Sequence, residues 1–491
     1  MSNPYKSLGS QSLIYGLGNI IPRFLNYAVL TVYYTRRFAP GTYGVITELY
    51  AYVAILMVIL TYGMETGLFK FSINNNNRGI AYSSILISVI STSVLFMVIV
   101  VLLKFPIAHL IGYQNNPEYI VFLALILAID AVSAIIFAKL RIENKARRFA
   151  IIKIVNVLST IFFVFLFLEI LPRFFSENLF YKEHLQHIEV GYVFIANLLS
   201  SILVLIMLTK DIYGIRFRLD FRLLTQILSY SVPLLVAGLA GIFNETIDRI
   251  LLKNLTPDKE NALYELGIYG ANYRIAVLLT IFVQMFRYAA EPFFFNYYGH
   301  QDSKKIYANV LKYFTIFLMI LFLGVGLCLD LFKLFIHSSY HEGLAIVPVV
   351  LFANVLVGLL FNVNMWYKLS GNTIYGVYIT GLGAVLTIVL NFIFIPLFGY
   401  YACAWIHVLA NGVMLIITYY TGQKHYKIQY DVKSIGIYLL FGIVLYIIGR
   451  LLQTSHGWLN VLTGLAMVSI FVLYVNKRDD LFKIFLTSNE G

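Results

Sequence analysis

The chain has 491 residues, of which 60% are hydrophobic and only 12% are charged, and its formal net charge is +12. Soluble domains contain about 25% charged residues, so this composition excludes an ordinary water-soluble protein and indicates one that crosses a membrane many times. The two cysteines, Cys328 and Cys403, lie in apolar stretches without metal-binding spacing and predict no metal or redox chemistry.

Apolar segments long enough to cross a bilayer recur along the whole chain. A transmembrane helix needs about 20 apolar residues, and no loop between the segments is long enough to fold as a domain. We therefore predict an all-α polytopic membrane protein with about fourteen transmembrane helices. The predicted spans lie at roughly 11–35, 44–69, 80–103, 118–138, 149–171, 190–209, 229–252, 266–295, 306–329, 344–367, 373–396, 400–420, 434–449 and 458–475.

Basic residues are distributed unevenly between the two sides of these spans. Cytoplasmic loops are enriched in Lys and Arg. In this chain, most of the 36 basic residues lie in the loops on the same side of the membrane as the amino terminus. This asymmetry predicts that both termini are cytoplasmic. It also explains the positive charge by contact with membrane lipids, without nucleic acid. The richest loop, after the fourth span, holds Lys139, Arg141, Lys145, Arg147, Arg148 and Lys153.

Four basic residues remain after those assigned to the loops, and all four are arginines within predicted spans: Arg23, Arg249, Arg274 and Arg287. A charge at membrane depth costs about 2.5–3.5 kcal/mol on insertion scales, so such residues face a bundle interior or a wet cavity. The guanidinium is permanently charged and its planar fork suits phosphate. The arginines therefore predict an anion site in a cavity. The alternative is that each one only pairs with a nearby acid and fastens helices together.

The sequence contains an internal repeat. The same number of positions separates "GTYG" at 41–44 from "GIYG" at 267–270 and Arg23 from Arg249. Because six spans separate the two copies, both halves enter the membrane in the same direction, which predicts two six-helix lobes related by a pseudo-two-fold axis along the membrane normal, with substrate between them. The predicted parts are 1–209 (spans one to six), 210–425 (spans seven to twelve) and 426–491 (two further helices and a cytoplasmic tail).

Polar side chains recur at helical spacing on spans one, seven and eight, which predicts that these stripes line the shared cavity. Four acids, of which Glu291 lies on the stripe of span eight, are candidates for binding a coupling proton or sodium ion. The predicted cavity residues are Asn19, Arg23, Asn26, Glu245, Asp248, Arg249, Arg274, Gln284 and Arg287. The candidate ion-coupling residues are Glu48, Glu65, Asp130 and Glu291.

Several segments, taken in order, resemble one family. They are "RFAPGTYGVI", "YSVPLL" followed by "DRILL", "LGIYGANYRIA", "FRYAAEPF" and "GNTIYG" followed by "GAVLTIVLNFIFIPLFGYYACAW". The chain is similar in these segments to oligosaccharide-lipid flippases of the Wzx type, in the superfamily that includes MATE antiporters and the lipid II flippase MurJ. The family more often has a small residue where Tyr401 stands.

The resemblance implies a bacterial inner-membrane transporter without cofactors, not an enzyme. It would flip undecaprenyl-pyrophosphate-linked oligosaccharides by alternating access for surface polysaccharide synthesis, with Arg23 and Arg249 in a cationic cavity. Alternatives are a MurJ-like lipid II flippase, a MATE-like cation-coupled antiporter using Glu48, Glu65 and Asp130, and a membrane glycosyltransferase or polymerase. The last normally needs a large aqueous loop or an acidic catalytic motif, and the sequence has neither.

Overall fold

The structure, a computed structural model, describes residues 16, 18, 20–72, 78–175, 189–212 and 218–479. Within these residues all regular secondary structure is helical, which confirms the all-α prediction. The α-helices are α1 (Val32–Arg37), α2 (Pro40–Thr61), α3 (Met64–Phe71), α4 (Arg78–Leu102), α5 (Lys104–Leu110), α6 (Pro117–Ile142), α7 (Ala146–Phe165), α8 (Leu171–Phe175), α9 (Gly191–Ile212), α10 (Phe221–Leu255), α11 (Ala262–Tyr297), α12 (Ser303–Leu327), α13 (Leu329–Phe332), α14 (Val347–Val363), α15 (Met365–Leu369), α16 (Ile374–Phe398), α17 (Tyr400–His425), α18 (Val432–Leu451) and α19 (Gly457–Asp479).

Shorter segments interrupt or extend these helices. A π-helical turn, Asn26–Thr31, precedes α1, and a second one, Leu166–Ile170, follows α7. The 3-10 helices Lys333–Phe335 and Ser338–Ile346 connect α13 to α14. The first π-helical turn begins at Asn26, one of the predicted cavity residues.

Thirteen helical stretches of the described chain are long and apolar enough to cross a membrane. They coincide with the second to the fourteenth predicted spans; for example, the predicted span 118–138 is the helix Pro117–Ile142. The predicted first span, 11–35, begins among residues outside the described ranges. The prediction of a many-span helical membrane protein is confirmed.

The described chain forms two compact units, each of which is made of two separate stretches of the sequence. Of the described residues, those up to Leu30 and those between Val45 and Thr246 form the first, and those between Thr31 and Gly44 and from Ile247 onward form the second. The boundary falls inside α10, a helix of 35 residues with Pro233 in its interior. Proline is tolerated inside membrane helices because neighbouring groups can satisfy the freed backbone carbonyl. The division of the chain at 209 and 425 that the repeat predicts stays a prediction.

The core of the first unit forms around α6, which packs against α4 and α9. Fully buried side chains from these helices and from α2 and α3, such as Leu60, Met64, Ile85 and Ile135, make one continuous apolar cluster. Phe137 and Phe149 meet edge to face at 5.3 Å and join α7 to this core. The helices are thereby fixed in rotation, which determines the directions of their few polar side chains.

The second unit is built on α14 and α17, which pack against each other and against α11, α12 and α16. The two C-terminal helices α18 and α19 pack on α12. An ion pair supports that contact, since Lys312 Nζ lies 2.5 Å from Asp479 Oδ1 and the Tyr438 hydroxyl donates to the same carboxylate. The last two spans are therefore fastened to this unit by charge as well as by apolar packing.

Candidate functional site

A buried carboxylate lies in the second unit, on the later part of α10. The Asp248 side chain is 1% exposed. Its Oδ2 atom accepts a hydrogen bond from the Tyr269 hydroxyl at 2.5 Å and lies 3.1 Å from His407 Nε2. A hydrogen bond at that distance requires the proton of a neutral His407 to be on Nε2. The other oxygen, Oδ1, accepts no hydrogen bond from the described residues.

The neighbouring Arg249 supplies the positive charge of this site. Its Nη1 atom lies 3.6 Å from Asp248 Oδ1, and the centre of its guanidinium lies 4.6 Å from the centroid of the Tyr273 ring. Its side chain keeps 13% of its exposure, whereas the partner carboxylate is closed off. The guanidinium thus lies beside a carboxylate and an aromatic face, and the side chain as a whole remains partly accessible.

Three helices create this arrangement through simple spacing. Tyr269 and Tyr273 are four residues apart on α11, so they share one face of that helix. Cys403 and His407 have the same spacing on α17. The His407 ring contacts the Tyr273 ring, with centroids 6.1 Å apart. We call the group of Asp248, Arg249, Tyr269, Tyr273 and His407 the buried acid site.

A second charged group lies near the end of α11. Glu291 Oε1 is 2.7 Å from Lys368 Nζ on α15, and Arg287 Nε is 4.0 Å from Glu291 Oε2. Both cations also lie over the Phe361 ring at 5.5 Å. The structure therefore brings together Arg287, a predicted cavity residue, and Glu291, a candidate ion-coupling acid, and adds Lys368. Arg287 remains more than half exposed.

The first unit contains its own charged group, centred on α7. Lys153 lies within electrostatic range of Asp130, Glu65, Arg141 and Arg23. The Ser201 hydroxyl hydrogen bonds with Asp130, and Arg141 Nη2 lies 2.7 Å from Glu65 Oε2. The structure thus gathers two of the candidate ion-coupling acids with one of the predicted cavity arginines around a lysine.

The structure corrects the assignment of Lys153 to a loop. The loop count includes it with the basic residues after the fourth span, whereas the structure places it inside α7, two turns from the helix start at Ala146. Its neighbours are the Phe137 ring, 4.2 Å from Nζ, and the charges of its group. It is an intramembrane cation that the inventory of arginines misses.

Glu48, the remaining candidate ion-coupling acid, is completely buried in α2. It accepts a hydrogen bond from the hydroxyl of Tyr113, in the turn between α5 and α6. Burial, and then the negative charge of Glu48, raise the pKa of Tyr113, so the phenol keeps its proton and acts as the donor. Glu48 therefore links α2 to that turn through this hydrogen bond.

The other predicted cavity residues are more accessible. Arg23, Glu245 and Arg274 are exposed, whereas Asn26 and Gln284 are half-buried. Asn19 lies outside the described residues. The surroundings of Asp248 differ from the prediction. The polar stripe on span seven predicts that Asp248 lines the cavity, whereas the structure buries its carboxylate completely.

Sequence reasoning also missed His407, Tyr269 and Tyr273. His407 could have been found by extending the inventory of intramembrane charges to histidine, since it lies within the predicted span 400–420. The tyrosines carry no such signal in a chain with 37 tyrosines. Among the described residues, no group of three or more His, Cys, Asp or Glu side chains is arranged to hold a metal ion.

Comparison with known proteins gives both a family and a fold. The sequence model of the family described as "Polysaccharide biosynthesis protein" matches residues 8–298, more than half of the chain. No curated protein sequence matches this chain.

Solved structures share the fold at low sequence identity. The lipid II flippase MurJ in an inward closed conformation superposes with a TM-score of 0.74 at 13% identity, covering 96% of this chain and 100% of its own. An inward-facing multidrug resistance MATE transporter of the MOP superfamily has a TM-score of 0.61 at 14% identity, covering 84% and 97%. An outward-facing one has a TM-score of 0.55 at 16% identity, covering 86% and 96%.

Proposed function

The chain belongs to the polysaccharide biosynthesis protein family, and from that premise we propose that it transports lipid-linked oligosaccharides across a bacterial inner membrane. The substrate is an undecaprenyl-pyrophosphate-linked unit, moved from the cytoplasmic to the periplasmic leaflet for surface polysaccharide synthesis. Family and fold are those of membrane transporters. Transport would proceed by alternating access, as the inward-facing and outward-facing structures of MATE relatives suggest by analogy.

This proposal rests on the surroundings and the partial exposure of the Arg249 side chain. A permanently charged guanidinium at membrane depth is expensive, and here a carboxylate and an aromatic ring lie beside it while the Arg249 side chain keeps 13% of its exposure. Pyrophosphate can replace the hydration that the exposed part needs, through paired hydrogen bonds of matching geometry. We propose that Arg249 binds the pyrophosphate; the internal repeat gives Arg23 the equivalent position in the first half of the chain.

Further polar groups suit the remaining parts of this substrate. Arg287 is exposed and lies over Phe361, and Gln284 is half-buried one turn earlier on α11. Amide and aromatic groups are the usual partners of sugar hydroxyls and rings, so we propose that this part of α11 contacts the glycan. Both termini are proposed to be cytoplasmic, because basic residues are concentrated in the loops on that side.

A MATE-like cation antiporter is less well supported. Its coupling acids would be Glu48, Glu65 and Asp130, and each of these already interacts with a protein group, Tyr113, Arg141 or Ser201. The substrate of a lipid II flippase differs from the substrate proposed here in its glycan and not in its pyrophosphate. The same arginine site would therefore serve a lipid II flippase.

The test is complementation of surface glycan in a strain that lacks its own flippase. We expect Arg249→Ala to abolish export and Arg249→Lys to restore only part of it, because an ammonium offers a point charge and not a fork. Arg222→Ala, an exposed position on the same helix, is the matched control and should export normally. Full export by Arg249→Ala at normal membrane abundance would contradict the proposal.

A further inference from the structure

The short helix α5, Lys104–Leu110, presents apolar side chains on its outer surface. Phe105 is 62% exposed and Leu110 is 83% exposed, and Leu103, just before the helix, is also exposed. We propose that α5 is an interfacial helix, whose exposed face binds phospholipid at the boundary between headgroups and acyl chains of the leaflet in which α4 ends. That leaflet is the periplasmic one in the orientation proposed above.

The exposed face of α5 continues a row of apolar side chains on α4, one of the thirteen helices long and apolar enough to cross the membrane. Leu95, Ile99 and Leu102 are exposed and follow one another at spacings of four and three residues, so they lie on one face of that helix. From 94 to 103 the sequence reads "VLFMVIVVLL", without a polar side chain. The row therefore reaches α5 without the polar rim that often borders a protein-binding patch, and lipid is the partner that covers it continuously.

The length of α4 places α5 at the membrane surface and not inside the hydrocarbon. The 25 residues of α4 extend about 37 Å at about 1.5 Å per residue, whereas the hydrocarbon core is about 30 Å thick. Even with a tilt of about 20°, the helix crosses the core before it ends at Leu102. Leu103 leaves the helical conformation, with φ −95° and ψ 14°, so α5 begins as a separate element near the headgroups.

The polar side chains of α5 also suit this boundary. Lys104 is half-buried, and its Nζ atom lies 5.0 Å from the centroid of the Phe105 ring. A lysine at this depth lays its apolar stem along the protein and extends its ammonium toward lipid phosphates. His109 is exposed in the last turn. A helix that exposes both large apolar side chains and charged or polar ones is typical of the layer between acyl chains and water.

The protein holds α5 in place from its buried side. Gly112 follows the helix with φ +80°, a conformation that glycine adopts without strain, and its N–H donates to the carbonyl of His109. The Tyr113 N–H donates to the carbonyl of Ala108 at 2.7 Å, which ends the helix and turns the chain back. The Tyr113 side chain is buried, and its hydroxyl donates to Glu48 of α2. The exposed face of α5 is thus carried by a fixed support.

The second half of the chain has a similar arrangement. Its third span is α12, and α13 and the 3-10 helix Lys333–Phe335 follow that span directly. Leu331 and Leu334 are 50% and 63% exposed there. Tyr340, further along the chain, is completely buried, and its hydroxyl donates to the carbonyl oxygen of Phe38. The two sequences differ, yet each half exposes large apolar side chains after its third span, so the exposure itself is the shared feature.

The first experiment measures the depth of α5 in a bilayer. A nitroxide spin label is attached at Leu110→Cys in the full-length protein, which is reconstituted in vesicles of phosphatidylethanolamine and phosphatidylglycerol. Collisions with oxygen, which concentrates in lipid, are compared with collisions with a water-soluble nickel chelate. We expect the label to collide mainly with oxygen, at a smaller depth than a label at Leu95→Cys on α4. Wild type, whose cysteines Cys328 and Cys403 are buried, gives the background.

The matched control is Asn115→Cys, an exposed position in the polar turn that follows α5. Its label should collide mainly with the nickel chelate. Equal nickel collisions at Leu110→Cys and Asn115→Cys would overturn the proposal, because α5 would then face water. Broadening between Leu110→Cys labels that disappears on dilution with unlabelled protein would also overturn it, because a second copy of the chain would then cover this face.

The second experiment measures whether the lipid contact stabilises the fold. Leu110 is largely exposed, so replacing it removes little packing within the protein, and in water such a surface substitution is close to neutral. A carboxylate at the lipid boundary is unfavourable. We therefore expect Leu110→Glu to lower the unfolding temperature in the same vesicles and Leu110→Ser to lower it less, whereas Asn115→Glu should leave it unchanged. Equal unfolding temperatures of Leu110→Glu and wild type would contradict the lipid contact. Neither experiment uses a substrate, so both are independent of the proposed function.

Discussion

Gly44 of α2 and Gly267 of α11 lie face to face within the second unit. A Cβ atom built on Gly267 would stand 1.8 Å from the carbonyl oxygen of Pro40, and one on Gly44 would stand 2.0 Å from that of Leu263. Neither distance is possible for a real side chain, so the two backbones can cross only where both residues are glycine. These are the last and first glycines of "GTYG" and "GIYG", so the two copies of the repeat also meet in space.

We expect Gly267→Ala to weaken the protein through this crossing. The added methyl group would overlap backbone atoms, which cannot move aside as a side chain can, so the cost should reach or exceed the upper end of about 1–3 kcal/mol. The measurement is thermal unfolding of purified protein in detergent. Gly324→Ala in α12, where a Cβ meets no atom within 4 Å, is the control and should be neutral or stabilising. Equal stability of the two variants would contradict the close crossing.

The Tyr269 hydroxyl should stabilise the buried carboxylate. Tyr269→Phe removes one of the donors to Asp248 and leaves a charged acceptor less satisfied, which costs about 1.5–3 kcal/mol. The lowered unfolding temperature should be compared with that of Tyr378→Phe, a largely exposed tyrosine of α16. An unchanged unfolding temperature in Tyr269→Phe would show that the hydroxyl contributes nothing there.

A double variant distinguishes a structural role of Arg249 from a substrate-binding role. Asp248→Asn alone removes the carboxylate that lies 3.6 Å from Arg249 Nη1 and should destabilise by about 3–5 kcal/mol. Combining Asp248→Asn with Arg249→Gln removes both charges, so the unfolding temperature should recover while glycan export should not. Recovery of export together with stability would mean that the pair serves only to hold helices in place.

The short helix α13, which follows α12, provides a pH-dependent contact outside the membrane spans. Burial alone would raise the pKa of Asp330, but hydrogen bonds from Lys333 and Asn460 outweigh it and lower the pKa. The ionised form is therefore favoured in the folded state, and its contribution to stability is present above the ordinary carboxyl pKa of about 3.9 and is lost as pH falls below it.

The matching measurement is the unfolding temperature between pH 7 and 3. Asp330→Asn should be less stable than wild type at pH 7 and should lose less stability on acidification. Asp302→Asn, which removes an exposed carboxylate at the start of α12, should follow the wild-type profile. A pH profile of Asp330→Asn that parallels wild type would exclude this contribution.

The sequence by itself determined the number and position of most spans. Backbone polar groups in lipid must be satisfied within one helix, so each crossing needs a continuous apolar stretch that can be read without knowledge of its neighbours. This is why thirteen predicted spans agree with the described helices, as 434–449 does with Val432–Leu451. The rarity of charge in such stretches also made Arg249 and Asp248 visible as residues to explain.

Tertiary structure alone decided what those charges touch. Asp248, Tyr269 and His407 lie on three helices, and Lys153 meets Asp130 from a different helix, so their contacts depend on how each helix is rotated about its axis. That rotation follows from side-chain packing, for which an almost uniformly apolar span gives no periodic signal. The sequence could therefore place the charges at membrane depth, whereas only the packing of α10, α11 and α17 could enclose Asp248 and leave Arg249 partly accessible.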